Sequence, residues 1–261
     1  MMDLEPIRIE TDERGVCTLT LNTPARHNAL DGRMVTLLHR QLQAIAKDET
    51  IRVVIFTGQG ESFSSGADLQ WMRAMGLETE ENNRQDAQQL AMVMRLLNRL
   101  PQPTIAKING PAYGGAIGVI ACCDIAIAVS SASFAFSEVR LGLVPAIIAP
   151  YVVAAIGPRQ ARRFFLSGEL IPSAVALRLG LVHQVVNADE LETAVASQVR
   201  RLLKAGPLAI AECKRLLARL EPGGESLREY TGEMLARLRG SPEGQEGIAA
   251  FLEKRPPRWR Y

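Results

Sequence analysis

Twice in the N-terminal half of the chain an extended apolar segment is followed by a helix and then by another extended apolar segment. Val16 to Leu21 (VCTLTL) alternates apolar and polar residues as a half-buried strand does, with Gly15 marking the turn before it. From Asp31 to Lys47 the residues Met34, Leu37, Leu38, Leu42 and Ile45 recur at helical spacing, and the strand-like IRVVIFTG follows. The order returns further on, where TIAKING runs through a glycine pair into the helical AIGVIACC and the strand-like DIAIAV. Such alternation predicts α/β architecture, with helices packed on β layers.

A second helix is expected after Gly66, and a third over Ala87 to Leu100, stopping before Pro101 and Pro103. Beyond Gly157 the pattern turns mostly helical: Gln160 to Ser167, Ser173 to Leu179, Ala188 to Leu203, Pro207 to Leu220 and Ser226 to Arg239. Gly206-Pro207 or Pro222-Gly223-Gly224 could hinge a C-terminal module. The expected organisation is a core over residues 1–205 and a helical region over 206–261.

With 261 residues, 47% of them hydrophobic and 22% charged, the chain can bury a sizeable core. A formal net charge of +2 offers no electrostatic case for nucleic acid or anionic lipid as a partner. Cys122 and Cys123 are adjacent while Cys17 and Cys213 stand alone, a spacing that suits neither zinc nor a disulfide framework, so a reducing cytoplasm is expected. The opening MMDLEPIRIETDERG lacks the basic start and apolar centre of a signal peptide. The longest uncharged run, Leu141 to Pro158, is broken by Pro145 and Pro150 and does not read as a membrane span.

Several chemistries fail on their motifs. Gly58-Gln-Gly60-Glu-Ser-Phe63 has Phe63 where a dinucleotide fingerprint needs a third glycine. No Gly-Lys-Ser/Thr phosphate loop or Gly-x-Ser-x-Gly elbow occurs. His27, His39 and His183 show no metal or triad spacing, and His39 and His183 read as packed or surface residues.

Two bare corners remain. In PAYGGAIGVIACCD, Gly114 and Gly115 open a helix, where unpaired main-chain N–H groups at the positive end of the dipole could hold an anion or a developing oxyanion; a tight turn is the alternative. In FSSGADL, Gly66 and Ala67 lie at a strand-to-helix corner, and Asp68 reads foremost as a cap of the following helix. Two such helix starts could aim two donors at one oxygen. Near them, ASFAFSEVRLGLVP read with period two puts Phe134, Phe136 and Glu138 on one face. A carboxyl beside two phenylalanines would be desolvated and suited to proton transfer, although a salt bridge to Arg140 at i+2 would account for it equally.

These segments together resemble the crotonase, or enoyl-CoA hydratase/isomerase, superfamily: ARHNALD, FSSGADL, INGPAYGGAIG, SEVRLGLVP and the terminal SPEGQEGIAAFLEKRPPRW span nearly the whole chain. The resemblance implies a crotonase-like spiral of ββα units with a helical C-terminal region, assembled as a homotrimer or hexamer. It implies an acyl-CoA substrate whose thioester oxygen accepts from the Ala67 and Gly115 N–H groups, with Glu138 as proton shuttle. Arg26, His27 and Ala29 match a segment lining the nucleotide part of coenzyme A. Ser65, Gly66, Asp68, Leu69, Tyr113, Gly114 and Gly118 border the thioester and acyl channel. No metal or redox cofactor is implied, coenzyme A being part of the substrate.

One departure matters. Gly118 stands where classical hydratases of the family carry a second glutamate. SEVRLGLVPAIIAPYVV is similar to bacterial hydratases of methylglutaconyl-CoA or carboxygeranoyl-CoA, so the expected reaction is hydration of a branched or carboxylated enoyl-CoA, its acyl group using the room at Gly118. The single glutamate would also suit a Δ3-Δ2-enoyl-CoA isomerase, and a non-catalytic acyl-CoA-binding protein is the rival from another class.

Overall fold

The computed structural model describes residues 5–75, 77–219, 242–243, 246, 250 and 253–258. Strands β1 (Ile7–Thr11) and β2 (Val16–Leu21) form an antiparallel pair, and α1 (Gly32–Lys47) then crosses over to β3 (Val53–Gly58), parallel to β2. All six residues of β3 are buried, as expected of a central parallel strand covered on both faces. Helices α2 (Leu69–Met75) and α3 (Glu80–Asn98) lead to β4 (Thr104–Ile108). The short β5 (Ala112–Tyr113) enters α4 (Gly115–Cys122), which returns the chain to β6 (Ile125–Val129). After β7 (Ser133–Ala135) and a 3-10 turn over Ser137–Leu141 come α5 (Ala149–Ser167), β8 (Ile171–Pro172), α6 (Ser173–Leu179), β9 (Gln184–Val186), α7 (Leu191–Leu202) and α8 (Pro207–Arg219).

The larger sheet has the order β1-β2-β3-β4-β6-β9 and the smaller β5-β7-β8. In β4-β5-α4 and again in β6-β7-α5 the chain adds a strand to the larger sheet, a strand to the smaller and then a helix, the expected ββα spiral, before β8, α6 and β9 close it. Between β3 and α2, Ser64 makes an isolated bridge to Ala112, so the preceding turn of the spiral touches the small sheet too. No helix among the described residues is long and apolar enough to cross a membrane.

Three loops are laced together at the ends of these strands. Asn28 is fully buried at φ 55°, a left-handed conformation that asparagine tolerates better than most residues. Its Nδ2 donates to the carbonyls of Gln59 (2.9 Å), Ser62 (2.9 Å) and Phe63 (3.2 Å), while its Oδ1 accepts from Thr23 N (3.0 Å). Ser64 Oγ donates to the Asn28 carbonyl at 2.8 Å and accepts from Gly66 N at 3.2 Å. Leu30 completes the lacing: its N–H donates to Gly66 O (2.8 Å) and its carbonyl accepts from Asp68 N (3.0 Å).

Four expectations are corrected. Helix α3 begins at Glu80, capped by Thr79, because its exposed first half (EENNRQDAQQ) carries no apolar stripe to reveal it. Helix α5 begins at Ala149 and is broken at Gly157 (φ 76°, ψ 157°), the residue before Pro158, which proline disfavours in helical conformation. Glu138 is not on a strand: β7 ends at Ala135 and the chain tightens into the 3-10 turn, closed by Gly142 at φ 72°. The room expected at Gly118 is filled, since a Cβ there would overlap Ile148 Cγ2 and come within 3.3 Å of Met94 Cε. The helix expected over Ser226 to Arg239 lies outside the described residues.

Two stability measurements follow from this packing. Asn28→Ala strands three carbonyls and leaves a residue less suited to positive φ, and should cost about 2–4 kcal/mol in chemical denaturation; a loss under about 0.5 kcal/mol, typical of a surface site, would disprove the lacing. Gly118→Ala should cost about 1–3 kcal/mol from overpacking, with a coupling to Ile148→Ala of at least about 0.5 kcal/mol in a double-mutant cycle. Strict additivity would mean that residues 118 and 148 do not touch.

Candidate active site

A cleft of about 600 Å³ opens where the start of α2, the start of α4 and the 3-10 turn meet. Its walls include Arg26, Ala29, Ser65, Ala67, Asp68, Leu69, Tyr113, Gly114, Gly115 and Glu138, all expected from the sequence. Gln70, Met72, Ser137, Arg140 and Leu141 complete it. Ala29, Leu69, Met72 and Leu141 make part of the wall apolar, and half-exposed Leu141 together with Leu69 lies at its open side.

Backbone geometry sets the polar end. Gly66, at φ 83°, packs so closely on the Tyr113 carbonyl that any Cβ would collide with it, and the same position lies 3.5 Å from Gly115 N. The two corners therefore meet main chain to main chain. The bridge between Leu30 and Ala67 uses the groups of Gly66 and Asp68, leaving Ala67 N–H unused. Gly115 is the first residue of α4, so its N–H has no partner within the helix. Neither N–H donates to an acceptor among the described residues. Gly114 precedes them at φ 49°, its N–H held by Ala135 O at 3.0 Å, which ties the corner to β7 and so to the turn bearing Glu138.

Glu138 lies directly over this corner. A Cβ at Gly114 would stand 3.2 Å from Glu138 Oε1 and 3.6 Å from its Cδ, so the missing side chain is what lets the carboxyl approach. Its Oε2 is buried with no hydrogen-bond partner among the described residues. Burial pushes the Glu138 carboxyl above the usual carboxylate range, a shift only partly offset by a hydrogen bond from its own backbone. The salt bridge to Arg140 weighed from the sequence is not formed. At three residues per turn, positions i and i+2 of a 3-10 turn leave its axis on different sides.

Arg26 and Asp68 are committed to each other. Asp68 Oδ1 accepts from Gln70 N and Trp71 N, both at 2.9 Å, as a helix cap, while its Oδ2 takes Arg26 Nη1 at 3.1 Å. Arg26 also holds Asp31 at 2.8 Å. Burial alone would raise the Asp31 carboxyl, but the Met34 N–H and Arg26 outweigh it and hold the group below its ordinary value. Tyr113 contributes wall and turns its hydroxyl to Ser133 Oγ at 3.2 Å.

Three expected residues lie outside the cleft. His27 is exposed, its Nδ1 paired with Ser62 Oγ at 2.9 Å, and it contributes to the corner through its carbonyl, which accepts from Ser65 N at 2.8 Å. Gly66 sits behind Ala67, and Gly118 is buried against Ile148. Conversely, Asn28, Ser64 and Leu30 position the site without entering the sequence argument as site residues. Asn28 was visible only as a polar residue inside ARHNALD, and its burial has no one-dimensional signature.

The enoyl-CoA hydratase/isomerase family model matches residues 11–261. An enoyl-CoA hydratase structure from Shewanella pealeana ATCC 700345 superposes with a TM-score of 0.94 at 40% identity, covering 98% of this chain and 97% of that one. Pseudomonas aeruginosa AtuE superposes with a TM-score of 0.95 at 35% identity, covering 98% of this chain and 100% of the other. The 2,3-dehydroadipyl-CoA hydratase of Escherichia coli K12 is 30% identical over 251 residues, 95% of this chain and 96% of that protein. With the family model spanning almost the whole sequence and the same fold in relatives of this identity, the chain belongs to the enoyl-CoA hydratase/isomerase family.

Proposed function

We propose that the protein is an enoyl-CoA hydratase, a hydro-lyase that adds water across the α,β-double bond of a branched or carboxylated acyl-CoA. One observation carries the reading: two unused main-chain donors, Ala67 N–H and Gly115 N–H, stand beside a single desolvated carboxyl, Glu138. The two groups donate to the thioester oxygen and stabilise the negative charge that reaches it as the enolate forms. Ionised Glu138 takes a proton from water while the hydroxyl oxygen bonds to the β-carbon. The π electrons move through the α-carbon to the thioester oxygen. Glu138 then returns that proton to the α-carbon as the carbonyl reforms, so one water is added and the enzyme is restored. Burial serves this cycle because a carboxyl raised toward neutrality both accepts and releases a proton readily.

The acyl class rests on the likeness of SEVRLGLVPAIIAPYVV to hydratases of carboxylated substrates and on the relationship to 2,3-dehydroadipyl-CoA hydratase. Room at Gly118 plays no part in it, since Ile148 occupies that space. Incubation in deuterated water with a straight-chain 2-enoyl-CoA, a methyl-branched carboxylated 2-enoyl-CoA and a 3-enoyl-CoA, read by mass spectrometry, tests the reaction. Gain of water on the carboxylated substrate supports it; deuterium uptake with a shifted double bond and no added water assigns a double-bond isomerase instead.

Glu138→Gln should lower kcat by about 10²–10⁴-fold, the usual scale of lost acid–base catalysis, while the fold persists. In the wild type, activity should fall on acidification through a midpoint above the ordinary carboxylate value of about 4.3. The same shift has a stability consequence. A carboxyl raised in the folded state contributes stability below its unfolded pKa that is lost as pH rises through its folded pKa. The stability of wild type relative to Glu138→Gln should therefore decline over that window in urea titrations at stepped pH. A flat difference, with the activity limb at the ordinary value, would contradict a desolvated Glu138.

A further inference from the structure

Arg140 is the one charged residue of the cleft that the mechanism leaves unused. Arg26 and Asp68 neutralise each other, with Asp31 as a second anion for Arg26, and Glu138 works on the proton. Arg140 lines the same cavity, on the same 3-10 turn as Glu138, yet has no ion pair or hydrogen bond to any acceptor among the described residues. Its Nε lies 3.2 Å from where a Cβ of Gly168 would stand, at the C-terminal end of α5. The negative end of that helix dipole favours a cation there. Gly168, at φ 58°, leaves room for it. With a rise of roughly 2 Å per residue in a 3-10 helix, Arg140 leaves the turn about 4 Å along its axis from Glu138. The neighbouring Leu141 adds an apolar surface beside it.

We propose that Arg140 is a specificity-determining residue that receives a second carboxylate at the far end of the acyl chain, so that the preferred substrates are dicarboxylic acyl thioesters. The inference rests on the cleft being the acyl-thioester site. A planar guanidinium with free donors suits bidentate pairing with a carboxylate. A substrate carboxylate would give the cation the counter-ion that the described residues do not supply, and an uncharged acyl chain would leave it as it stands.

Equilibrium binding of glutaryl-CoA and butyryl-CoA, saturated thioesters of similar length that differ by a terminal carboxylate, tests this without requiring turnover. Wild type should bind glutaryl-CoA more tightly than butyryl-CoA. Arg140→Gln should weaken glutaryl-CoA about 10- to 100-fold, the scale of a hydrogen bond to a charged group, and leave butyryl-CoA unchanged, with Arg140→Lys recovering part of the loss. An equal loss for both ligands would assign Arg140 to coenzyme A or to packing on α5, and equal wild-type affinities would also overturn the proposal. The hydratase reading is judged separately by water addition to any 2-enoyl-CoA. An active hydratase with no preference for the carboxylated ligand sinks only the Arg140 assignment, and a selective binder that adds no water sinks only the hydratase.

Discussion

The site depends on two stretches of main chain lying closer together than side chains would allow. Gly66 meets the Tyr113 carbonyl with no room for a Cβ, and Gly114 leaves the space that the Glu138 carboxyl enters. Both glycines have positive φ, so their lack of a side chain serves conformation and approach at once. Such contact between two loops is costly unless each loop is held from behind. Asn28, Ser64 and Leu30 do this by taking up the carbonyls and N–H groups that would otherwise compete. Because those partners are consumed inside the loops, the donors left over, at Ala67 and Gly115, are the ones that face the cleft. Preorganisation here is therefore a product of hydrogen-bond accounting in the residues behind the site.

The same accounting separates satisfied carboxylates from an unsatisfied one. Asp68 and Asp31 are each satisfied by backbone N–H groups and by Arg26, so both are already engaged within the fold. Glu138 has a buried oxygen with no partner among the described residues. An unsatisfied buried polar atom costs free energy of folding, on the order of 1–3 kcal/mol. A chain tolerates that where the orphaned group has work to do with a molecule that is not always present. Desolvation then raises the proton affinity without a nearby like charge, which distinguishes this carboxyl from paired-acid sites.

Much of this could be read in one dimension where periodicity is strong. Helix α6 falls on Ser173–Leu179 as expected, and β2, α1, β3 and α4 lie close to their predicted bounds. Short glycine-rich corners were legible because bare backbone has few other uses at a helix start. The failures share a cause: they depend on what packs where. The polar first half of α3 faces water and has no stripe to detect. Phe134 and Phe136 are both fully buried, which mimics a strand continuing to Glu138, although the chain has already tightened into a 3-10 turn. Asn28 is a buried hub among loops, and His27 beside it is exposed. Nothing in ARHNALD separates the two.

Gly118 shows how far a substitution can be understood from its surroundings. Read alone, glycine in place of a glutamate suggests vacated space open to a bulkier substrate. In the fold, Ile148 at the start of α5 and Met94 of α3 close over the position, so the exchange replaces a charged group with a hydrocarbon contact between helices. A buried glutamate at this point would need a partner, and the neighbours that fill the space offer no hydrogen bond. The packing of α4 against α3 and α5 and the absence of a second acid are thus one feature of the structure. Within the proposed reaction, that leaves Glu138 to move the proton both from water and to the α-carbon.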